Sequence, residues 1–245
     1  MTNLSNNSYC AICGSHGNQR LGISNGYNLV QCIECGFRFI DPMPSNDELR
    51  DYYHSYEGNK TYISKTEKKI RRAKKRIVRW MGLAPGRTFL DVGCNAGFAV
   101  EAAYRLSLQA TGIDLGEDAI IVAKKLFPHN DFRVAGPVDL AQTGRRFDFI
   151  YCSEVIEHTN GPDAFVNALH ELMTTRGLLY LTTPDAGHLR VPKNFIDWQS
   201  VHPPSHLCYF SKSNIRQLLA NHNIEVIKFL WNIKSGIKTI ARRID

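Results

Sequence analysis

The chain has 245 residues, of which 43% are hydrophobic and 22% charged, values that are typical of a globular protein with one sizeable core. No stretch approaches the roughly 18 consecutive apolar residues of a membrane-spanning helix. The polar residues 1–7 do not resemble a secretory signal, so we expect a cytoplasmic protein. The net charge of +7 and the isoelectric point near 9.0 suggest an anionic partner, such as a nucleotide-linked sugar, a nucleic acid or a phospholipid surface, with exposure to bulk solvent alone as the alternative.

Two C-x-x-C pairs near the start of the chain, with 18 residues between them, predict a metal site. The four residues are Cys10, Cys13, Cys32 and Cys35. Four thiolates brought together by two tight turns suit a tetrahedral zinc ion, and Gly14 and Gly36 directly after the pairs ease those turns. A full set of four thiolates leaves no position open for water, so we predict a structural Zn²⁺ in a small zinc ribbon. Two disulfides are the alternative, which a reducing compartment disfavours.

The segment after the ribbon contains two predicted helices. Ser45 or Asn46 caps a short helix that leads into two tyrosines, and Thr66–Met81 has helical spacing with a basic surface. That surface is either a solvated face covering the sheet edge or a phosphate-binding stripe for nucleic acid. We divide the chain into a zinc ribbon (1–45), a helical linker or lid (46–84) and a main domain (85–245).

From residue 85 onward, apolar strand patterns alternate with helical patterns. The predicted strands are 88–92, 109–114, 131–135, 147–152 and 177–183, and the helices between them are 97–107, 116–127 and 162–173. Such alternation predicts an α/β, Rossmann-like, doubly wound and mostly parallel sheet, with the ligand at the carboxyl ends of the strands. Ser211 is predicted to cap a further helix, and a strand follows at 224–230. Residues 235–245 are basic and amphipathic rather than strand-like, which leaves a truncated edge, a helix or an anionic-surface contact as alternatives.

The turn after the first of these strands predicts a cofactor site. It has the pattern Asp91-x-Gly93-x-Asn95-x-Gly97, in which glycines allow a tight turn and a close approach to a ligand. Asp114 ends the second strand, where a carboxylate accepts both hydroxyls of a ribose; capping of the next helix is its alternative role. A dinucleotide dehydrogenase is disfavoured, because its pyrophosphate site needs a strict G-x-G-x-x-G.

These motifs, together with Gly112-Ile-Asp114 and the segment 147–158, resemble those of the class I S-adenosylmethionine (SAM) dependent methyltransferases. With the ribbon, the chain is similar to bacterial members that act on glycans and secondary metabolites. The resemblance implies SAM as the cofactor. The implied SAM-binding residues are Asp91, Gly93, Asn95, Gly97, Asp114, Leu115 and Ser153. Asn95 stands where the family usually has its middle glycine, and residues 136–138 lack the acidic residue that many members have near the adenine amino group.

Two segments at the predicted cleft carry candidate catalytic residues. Glu157 and His158 follow the fourth strand of the main domain, and an imidazole with a pKa of about 6.5 suits a base at neutral pH. His206 lies in a proline-stiffened loop that resembles the family's histidine-containing loop over the substrate, and it is a second candidate base. Alternatively, Glu157 and His158 cap or pack the following loop, or the histidines join Glu157 in binding a divalent metal ion.

Aromatic and polar residues of two segments are candidate contacts to the acceptor. They are Tyr52, Tyr53, Tyr56, Trp198, His202 and Tyr209. The three tyrosines belong to a segment that resembles the N-terminal extension folding towards the cleft in related bacterial enzymes. Packing of the ribbon on the main domain is the alternative for each of them. The remaining cysteines (Cys94, Cys152 and Cys208) are predicted to be buried apolar residues.

The combined prediction is a zinc-ribbon SAM methyltransferase that modifies a small or medium polar acceptor, most simply an oxygen of a sugar, nucleotide-sugar or secondary metabolite. An RNA methyltransferase that grips phosphate through the ribbon and the basic helix is the main alternative. The segment 182–185 is a poor substitute for the Asn/Asp-Pro-Pro-Tyr/Phe motif of many base-amine methyltransferases. A non-enzymatic SAM-binding or zinc scaffold is a third possibility, since fold and cofactor site do not fix the reaction.

Overall fold

The computed structural model describes residues 9–55, 65–231 and 235–245. The strands are β1 (Asn18–Ser24), β2 (Tyr27–Cys32), β3 (Arg38–Ile40), β4 (Thr88–Val92), β5 (Gln109–Asp114), β6 (Asp131–Val134), β7 (Phe147–Ser153), β8 (Met173–Pro184), β9 (Cys208–Tyr209), β10 (Ile224–Phe229) and β11 (Gly236–Arg243). The helices are α1 (Asn46–Ser55), α2 (Thr66–Met81), α3 (Phe98–Tyr104), α4 (Glu117–Leu126), α5 (Pro137–Ala141), α6 (Pro162–Leu172) and α7 (Lys212–Ala220). Two 3₁₀ turns, Ile156–His158 and Phe195–Asp197, lie in the connections.

The main domain is built on a seven-stranded sheet in the order β10-β11-β8-β7-β4-β5-β6. Strands β6, β5, β4, β7 and β8 run parallel to one another, and β11 is antiparallel to both β8 and β10. The chain runs outward from β4 to β6 and then returns to β7 on the other side of β4, so the topological switch lies between β4 and β7. Ligands of such sheets bind beside this switch, at the carboxyl ends of the strands. The predicted Rossmann-like sheet is confirmed.

The prediction for residues 235–245 was wrong, because these residues form β11 within the sheet. Ile237, Ile240 and Ala241 are completely buried, and β11 pairs along its length with β8 and β10. The basic residues of the segment obscured the pattern, since Arg242 and Arg243 end the strand although both are partly buried, and Arg243 donates to the His170 and Met173 carbonyls. A strand between two partners needs few apolar residues, because its neighbours supply the hydrogen bonds and most of the burial.

Most other predicted elements agree with the structure to within a few residues. Helix α2 and strands β4 and β5 have the predicted bounds. Ser211 caps α7 as predicted, with its hydroxyl accepting a hydrogen bond from the Asn214 amide at 3.2 Å. Strand β8 begins at Met173, four residues before the predicted start, because its pairing with β7 continues through an irregularity beside Phe149.

Helix α2 covers a face of the large sheet rather than its edge. Its apolar side, formed by Ile70, Ala73 and Ile77, is buried in a cluster that includes Phe89 of β4 and Tyr180 of β8. The helix also packs on α3, where the Arg105 guanidinium binds Glu67 through two hydrogen bonds of 3.0 Å each. The basic residues therefore occupy the outward side of a helix that the core holds in place.

The ribbon is joined to the main domain through a second sheet, in the order β1-β2-β3-β9. Strand β9 belongs to the histidine-containing loop before α7, and it pairs with β3 through Arg38 with Tyr209 and Phe39 with Cys208. The Asn214 side-chain amide of α7 donates to the Cys35 carbonyl at 2.9 Å. The ribbon therefore supports the loop that carries His206.

Among the described residues, no helix combines the length and apolar character needed to cross a bilayer.

Candidate functional site

The turn between β4 and α3 has the backbone that its glycines predict. Gly93 and Gly97 have φ angles of +71° and +80°, and Asn95 also takes a positive φ, of +46°. A Cβ atom at Gly93 would lie 2.5 Å from Val155, and one at Gly97 would lie 2.6 Å from the Phe132 ring. The glycines are thus required both by backbone conformation and by close packing of neighbouring side chains.

Asp114 is fixed at the end of β5 by backbone amides. Its Oδ2 accepts from the Asn95 amide at 2.9 Å, and its Oδ1 accepts from the Gly116 amide at 2.8 Å. The first bond ties the carboxylate to the β4–α3 turn, and the second places it at the start of α4. Asp114 therefore lies beside the turn, as predicted. It also contacts the start of α4, which was the alternative role.

Asp91 is a buried carboxylate near the same turn. It is 4% exposed, and its carboxylate accepts no hydrogen bond from the residues that the structure describes. Burial, reinforced by the negative charge of Asp114, raises the pKa of Asp91 well above its ordinary value. A cationic ligand group beside this carboxylate would offset both effects.

The other two predicted cofactor residues lie at neighbouring strand ends. Leu115 follows β5 and is 76% exposed, and its side chain lies beside Gly136, before α5. The exposed Val138 is the second residue of that helix. Ser153 ends β7, and its hydroxyl is hydrogen-bonded to the Thr182 hydroxyl of β8 at 2.8 Å. These residues border the switch region from its two sides.

Glu157 lies below the surface at the carboxyl end of β7. It is 1% exposed, and its Oε2 accepts from the Thr183 hydroxyl at 2.9 Å. Its Oε1 is buried and accepts no hydrogen bond from any residue of the described ranges. Burial, followed by the charge of Glu154, raises the pKa of Glu157 to about 8.

Glu154 borders this carboxylate in an unusual backbone conformation. Its φ angle is +59°, a value that L-residues other than Asn and Asp seldom adopt. Its Oε1 accepts from the Thr182 hydroxyl at 2.6 Å. Strand β8 thus holds both glutamates of the segment through consecutive threonines.

His158 and His206 come together from two segments. Their rings are 4.9 Å apart and nearly perpendicular. The Nδ1 atom of His158 lies 2.6 Å from the Ser205 carbonyl, and that of His206 lies 2.7 Å from the Ser200 carbonyl. Burial lowers the pKa of His158, and burial together with the nearby His158 lowers that of His206 to about 4, so both rings are neutral near pH 7.

The three predicted catalytic residues therefore form one cluster. One ligand atom from each of Glu157, His158 and His206 lies within 4.8 Å of the others. The His202 ring lies 5.7 Å from the His206 ring, at the exposed side of the same loop. Sequence reasoning identified the members of this cluster, and the structure shows that they meet.

The candidate acceptor residues occupy different environments. Trp198 and Tyr209 are 3% and 2% exposed and pack against Phe195, and the Tyr209 hydroxyl donates to the His206 carbonyl at 2.9 Å. They lie behind the loop, where they support it. Tyr52 is half-buried on α1. The side chain of Tyr53 and the whole of Tyr56 lie outside the described residues.

The four cysteines of the ribbon converge as predicted. Their sulfurs lie within 4.8 Å of one another, with 3.5 Å between Cys10 and Cys35 and between Cys13 and Cys32. These separations far exceed a disulfide bond of about 2.05 Å, and all four thiols are free. Gly14 and Gly36 take positive φ in the two knuckle turns. Four convergent thiols in these turns suit zinc. Cys94, Cys152 and Cys208 are buried, as predicted.

Two contributions to the site were not identified from the sequence. Val155 packs against the Gly93 position, and the Thr182 hydroxyl holds Glu154. The sequence did predict that residues 183–185, at the end of this strand, line the cleft, and the Thr183 hydroxyl binds Glu157 there. The place of Val155 and Thr182 after β7 and at the end of β8 is the signal that points to them, because adjacent parallel strands end at the same edge. Pairing of β9 with the ribbon has no comparable signal, since two residues carry no strand pattern.

By its fold and its site, the chain belongs to the class of proteins with the Rossmann-like methyltransferase fold. A family model described as a methyltransferase domain matches residues 62–228. Because this match covers more than half of the chain, the protein belongs to that methyltransferase-domain family.

Two curated relatives and one solved structure illustrate the similarity. A ubiquinone biosynthesis O-methyltransferase of Xanthomonas campestris is 39% identical over 105 residues, which are 40% of this chain and 44% of that relative. One of Pelagibacter ubique is 28% identical over 164 residues, which are 59% of this chain and 68% of the relative. The chain thus matches less than half the length of the first relative.

The solved structure is the Burkholderia thailandensis 1,6-didemethyltoxoflavin-N1-methyltransferase, with its substrate and S-adenosylhomocysteine bound. It aligns with a TM-score of 0.61 at 14% identity, covering 94% of this chain and 100% of the other. At this identity the likeness shows the fold.

Proposed function

We propose that the protein is a SAM-dependent methyltransferase that transfers a methyl group to a hydroxyl oxygen of a small or medium polar acceptor. The observation that carries the proposal is the pair of carboxylates beside the glycine turn. Asp114 is positioned at the end of β5 by two amides, and Asp91 is buried without a hydrogen-bond partner among the described residues. The family match supports the reaction class.

The residues present fit SAM at three points. The Asp91 carboxylate would bind the ammonium group of the methionine part, which supplies the positive charge that this buried carboxylate lacks. The Asp114 carboxylate would accept the ribose hydroxyls. Leu115 and Val138 would offer apolar surface to the adenine, since both are exposed and border the same strand ends.

Bound SAM would supply a methyl group on a positively charged sulfur. That sulfur would keep the electron pair of the carbon–sulfur bond when the acceptor oxygen bonds to the methyl carbon, and the proton of the acceptor would pass to a basic group of the chain. The chain must therefore align the acceptor and assist loss of its proton. Glu157, His158 and His206 are the groups that we assign to this task, because they cluster at the carboxyl end of β7, next to the turn.

The acceptor is proposed to be a sugar, a nucleotide-sugar or a secondary metabolite carrying a hydroxyl. The relatives' names favour oxygen as the methylated atom, since they are O-methyltransferases of ubiquinone biosynthesis. The exposed His202 beside His206 is proposed to contact the acceptor, and so are the tyrosines of α1 and the segment after it. Trp198 and Tyr209 are proposed to act indirectly, by keeping the His206 loop in place.

An RNA methyltransferase is the second candidate, and the outward side of α2 favours it. A groove on that helix is lined by Lys68, Arg71, Arg72, Lys75 and Arg76. However, the Arg76 guanidinium donates to the Tyr151 hydroxyl of β7 at 2.7 Å, so this side chain already binds a residue of the sheet. The remaining four are compatible with a solvated helix face.

Transfer of labelled methyl from SAM into cell extract separates the two candidates. We expect label in the small-molecule or glycan fraction when the full chain is added. Label in a polymer fraction that ribonuclease removes would contradict the proposal and make α2 the substrate-binding surface. Absence of label from every fraction, with extracts of cells lacking the protein as the acceptor source, would contradict both.

A further inference from the structure

Three side chains at the carboxyl ends of β7 and β8 form a line of hydrogen bonds. The Ser153 and Thr182 hydroxyls are 2.8 Å apart, and the Thr182 hydroxyl donates to the Glu154 Oε1 at 2.6 Å. Ser153 and Thr182 are also register partners in the sheet. Backbone pairing therefore holds this line at the edge of the sheet where the cofactor is proposed to bind.

The carboxylate at the end of the line fixes the direction of both bonds. A carboxylate only accepts, so the single proton of the Thr182 hydroxyl points at Glu154. The Thr182 oxygen must then accept from Ser153, since each hydroxyl has one proton. The Ser153 proton is therefore used within the protein, and its oxygen can offer a ligand only lone pairs.

Tyr151 occupies one of the two lone pairs of the Ser153 oxygen. The Arg76 guanidinium, which only donates, binds the Tyr151 hydroxyl at 2.7 Å, so Tyr151 must direct its own proton elsewhere. Burial raises the pKa of Tyr151, whereas the charge of Arg76 and hydrogen bonding with Arg76 and Ser153 oppose this rise. The Ser153 oxygen is thus the acceptor beside the phenol, and one acceptor position remains on it.

Asp91 is the neighbouring acceptor on the adjacent strand. It pairs in register with Tyr151, so Asp91, Tyr151 and Ser153 lie on the same face of β4 and β7. The buried Asp91 carboxylate accepts no hydrogen bond from the residues of the described ranges. Asp91 and Ser153 therefore offer acceptors and no donor. They suit an ammonium group, which has three N–H donors and no lone pair.

We propose that Thr182 is a positioning residue for the cofactor, which holds the Ser153 oxygen as an acceptor for the ammonium group of the methionine part of SAM. This role rests on the proposed function, and it adds an uncharged acceptor to the Asp91 carboxylate. Without the Thr182 hydroxyl, the Ser153 proton is free to turn towards the ammonium group and repel it. A charged group that leaves water needs hydrogen-bond partners in its place, so a wrongly directed proton weakens binding.

Calorimetric titration of the purified full chain with SAM tests this role. We expect Thr182→Val, which keeps the shape of the side chain and removes its hydroxyl, to weaken SAM binding about three- to tenfold, the equivalent of one net hydrogen bond. Thr182→Ser keeps the hydroxyl and should bind SAM as the unaltered chain does.

The matched control is Thr239→Val. Thr239 is completely buried in β11, and its hydroxyl donates to the Lys228 carbonyl at 3.0 Å. It pairs with Leu181, the residue before Thr182, so its side chain lies on the opposite face of the sheet from that of Thr182. Its substitution removes an equally buried hydroxyl and should leave SAM binding unchanged.

A double substitution tests whether Thr182 acts through Ser153. Ser153→Ala should weaken SAM binding about tenfold. Addition of Thr182→Val to Ser153→Ala should cause no further loss beyond about twofold, because the group that Thr182 positions is already absent. 5′-Methylthioadenosine, which has the adenosine part of SAM but no ammonium group, should bind Thr182→Val and the unaltered chain equally.

Unchanged SAM affinity in Thr182→Val would overturn the role, and so would losses that multiply in the double variant or an equal loss of affinity for 5′-methylthioadenosine. Circular dichroism reports whether each variant is folded; if Thr182→Val is not, Thr182→Ala takes its place. A chain that binds SAM equally well with and without the Thr182 hydroxyl refutes this role and leaves the proposed function standing. An unaltered chain that binds no SAM refutes the proposed function and this role with it.

Discussion

Asp114 joins two backbone amides to the place where the ribose is proposed to bind, and its removal is the most specific residue-scale test of the cofactor site. We expect Asp114→Ala to weaken SAM binding by about 2–3 kcal/mol. The substitution removes the carboxylate that is proposed to accept hydrogen bonds from the two ribose hydroxyls. Calorimetric titration with SAM measures this.

The matched control is Asp118→Ala. Asp118 lies four residues further along, is exposed on the first turn of α4 and carries the same charge. It should bind SAM as the unaltered chain does. Equal weakening by the two substitutions would mean that Asp114 acts only through the net charge around the helix start.

Gly97 tests the packing of the turn. An alanine there combines a φ of +80° with a Cβ only 2.6 Å from Phe132, so we expect Gly97→Ala to lower the free energy of unfolding by about 2–4 kcal/mol. Gly144 has a similar φ of +72° and open space around its Cβ position. Gly144→Ala should cost about 1 kcal/mol. The difference between the two variants in the free energy of unfolding, measured with urea, gives the contribution of the steric clash. Equal losses would show that the Phe132 ring can move aside without loss of stability.

Residue patterns predicted the conformation of the β4–α3 turn and the position of Asp114 beside it. The β4–α3 turn and the carboxylate of Asp114 depend on local conformation and on strand ends, which sequence spacing reflects. The requirement for glycine at position 97 was assigned to ligand approach, whereas the structure shows contact with Phe132 of β6. That contact joins distant segments, and spacing along the chain does not report it.

At the scale of elements, the pairing of β9 with the ribbon links the four-cysteine cluster to the His206 loop. We expect Cys35→Ala, which breaks the four-thiolate set next to the Asn214 hydrogen bond, to increase amide hydrogen exchange at 207–210. The α4 and β6 segments, which lie across the large sheet, serve as the internal control and should exchange at the same rate as in the unaltered chain.

Unchanged exchange at 207–210 would contradict a supporting role for the ribbon. A general increase throughout the chain would indicate loss of the whole fold rather than of this link. Addition of Mn²⁺ should not reverse the effect, since manganese prefers oxygen and imidazole ligands to thiolates.

Element prediction succeeded where period and length were distinctive and failed where a strand depends on its partners. Strands β4 and β5 and helix α2 were identified from continuous apolar or amphipathic patterns. Strand β11 was not, because it ends in two basic residues, and β9 is only two residues long. Strand β9 pairs with the distant β3, and β11 lies between the distant β8 and its neighbour in sequence, β10.

At the scale of the whole molecule, the net charge of +7 has two possible explanations, a solvated surface or a site that binds nucleic acid. The position of α2 in the fold bears on the choice between them. The basic residues of α2 lie on the outward side of a helix packed over the sheet face. If they only solvate that face, methyl transfer to the natural acceptor fraction should depend weakly on salt. Binding of RNA through several phosphates would weaken steeply with salt. A steep loss of activity between about 50 and 200 mM salt would therefore favour the nucleic-acid alternative.

The division of the chain into three parts stays a prediction. The structure does show how the ribbon is attached to the main domain. The ribbon and the main domain share a sheet through β9 and a continuous apolar cluster that contains both Phe37 and Leu90. Residues 9–45 are therefore expected to unfold together with the main domain rather than ahead of it.

The central claim, that this chain is a SAM-dependent enzyme, is tested most directly by calorimetric titration of the purified full chain with SAM. We predict one SAM per chain, displaced by S-adenosylhomocysteine. This result requires no knowledge of the acceptor. Absence of binding up to millimolar SAM, from a chain that unfolds cooperatively, would contradict the claim and leave a methyltransferase fold with another use.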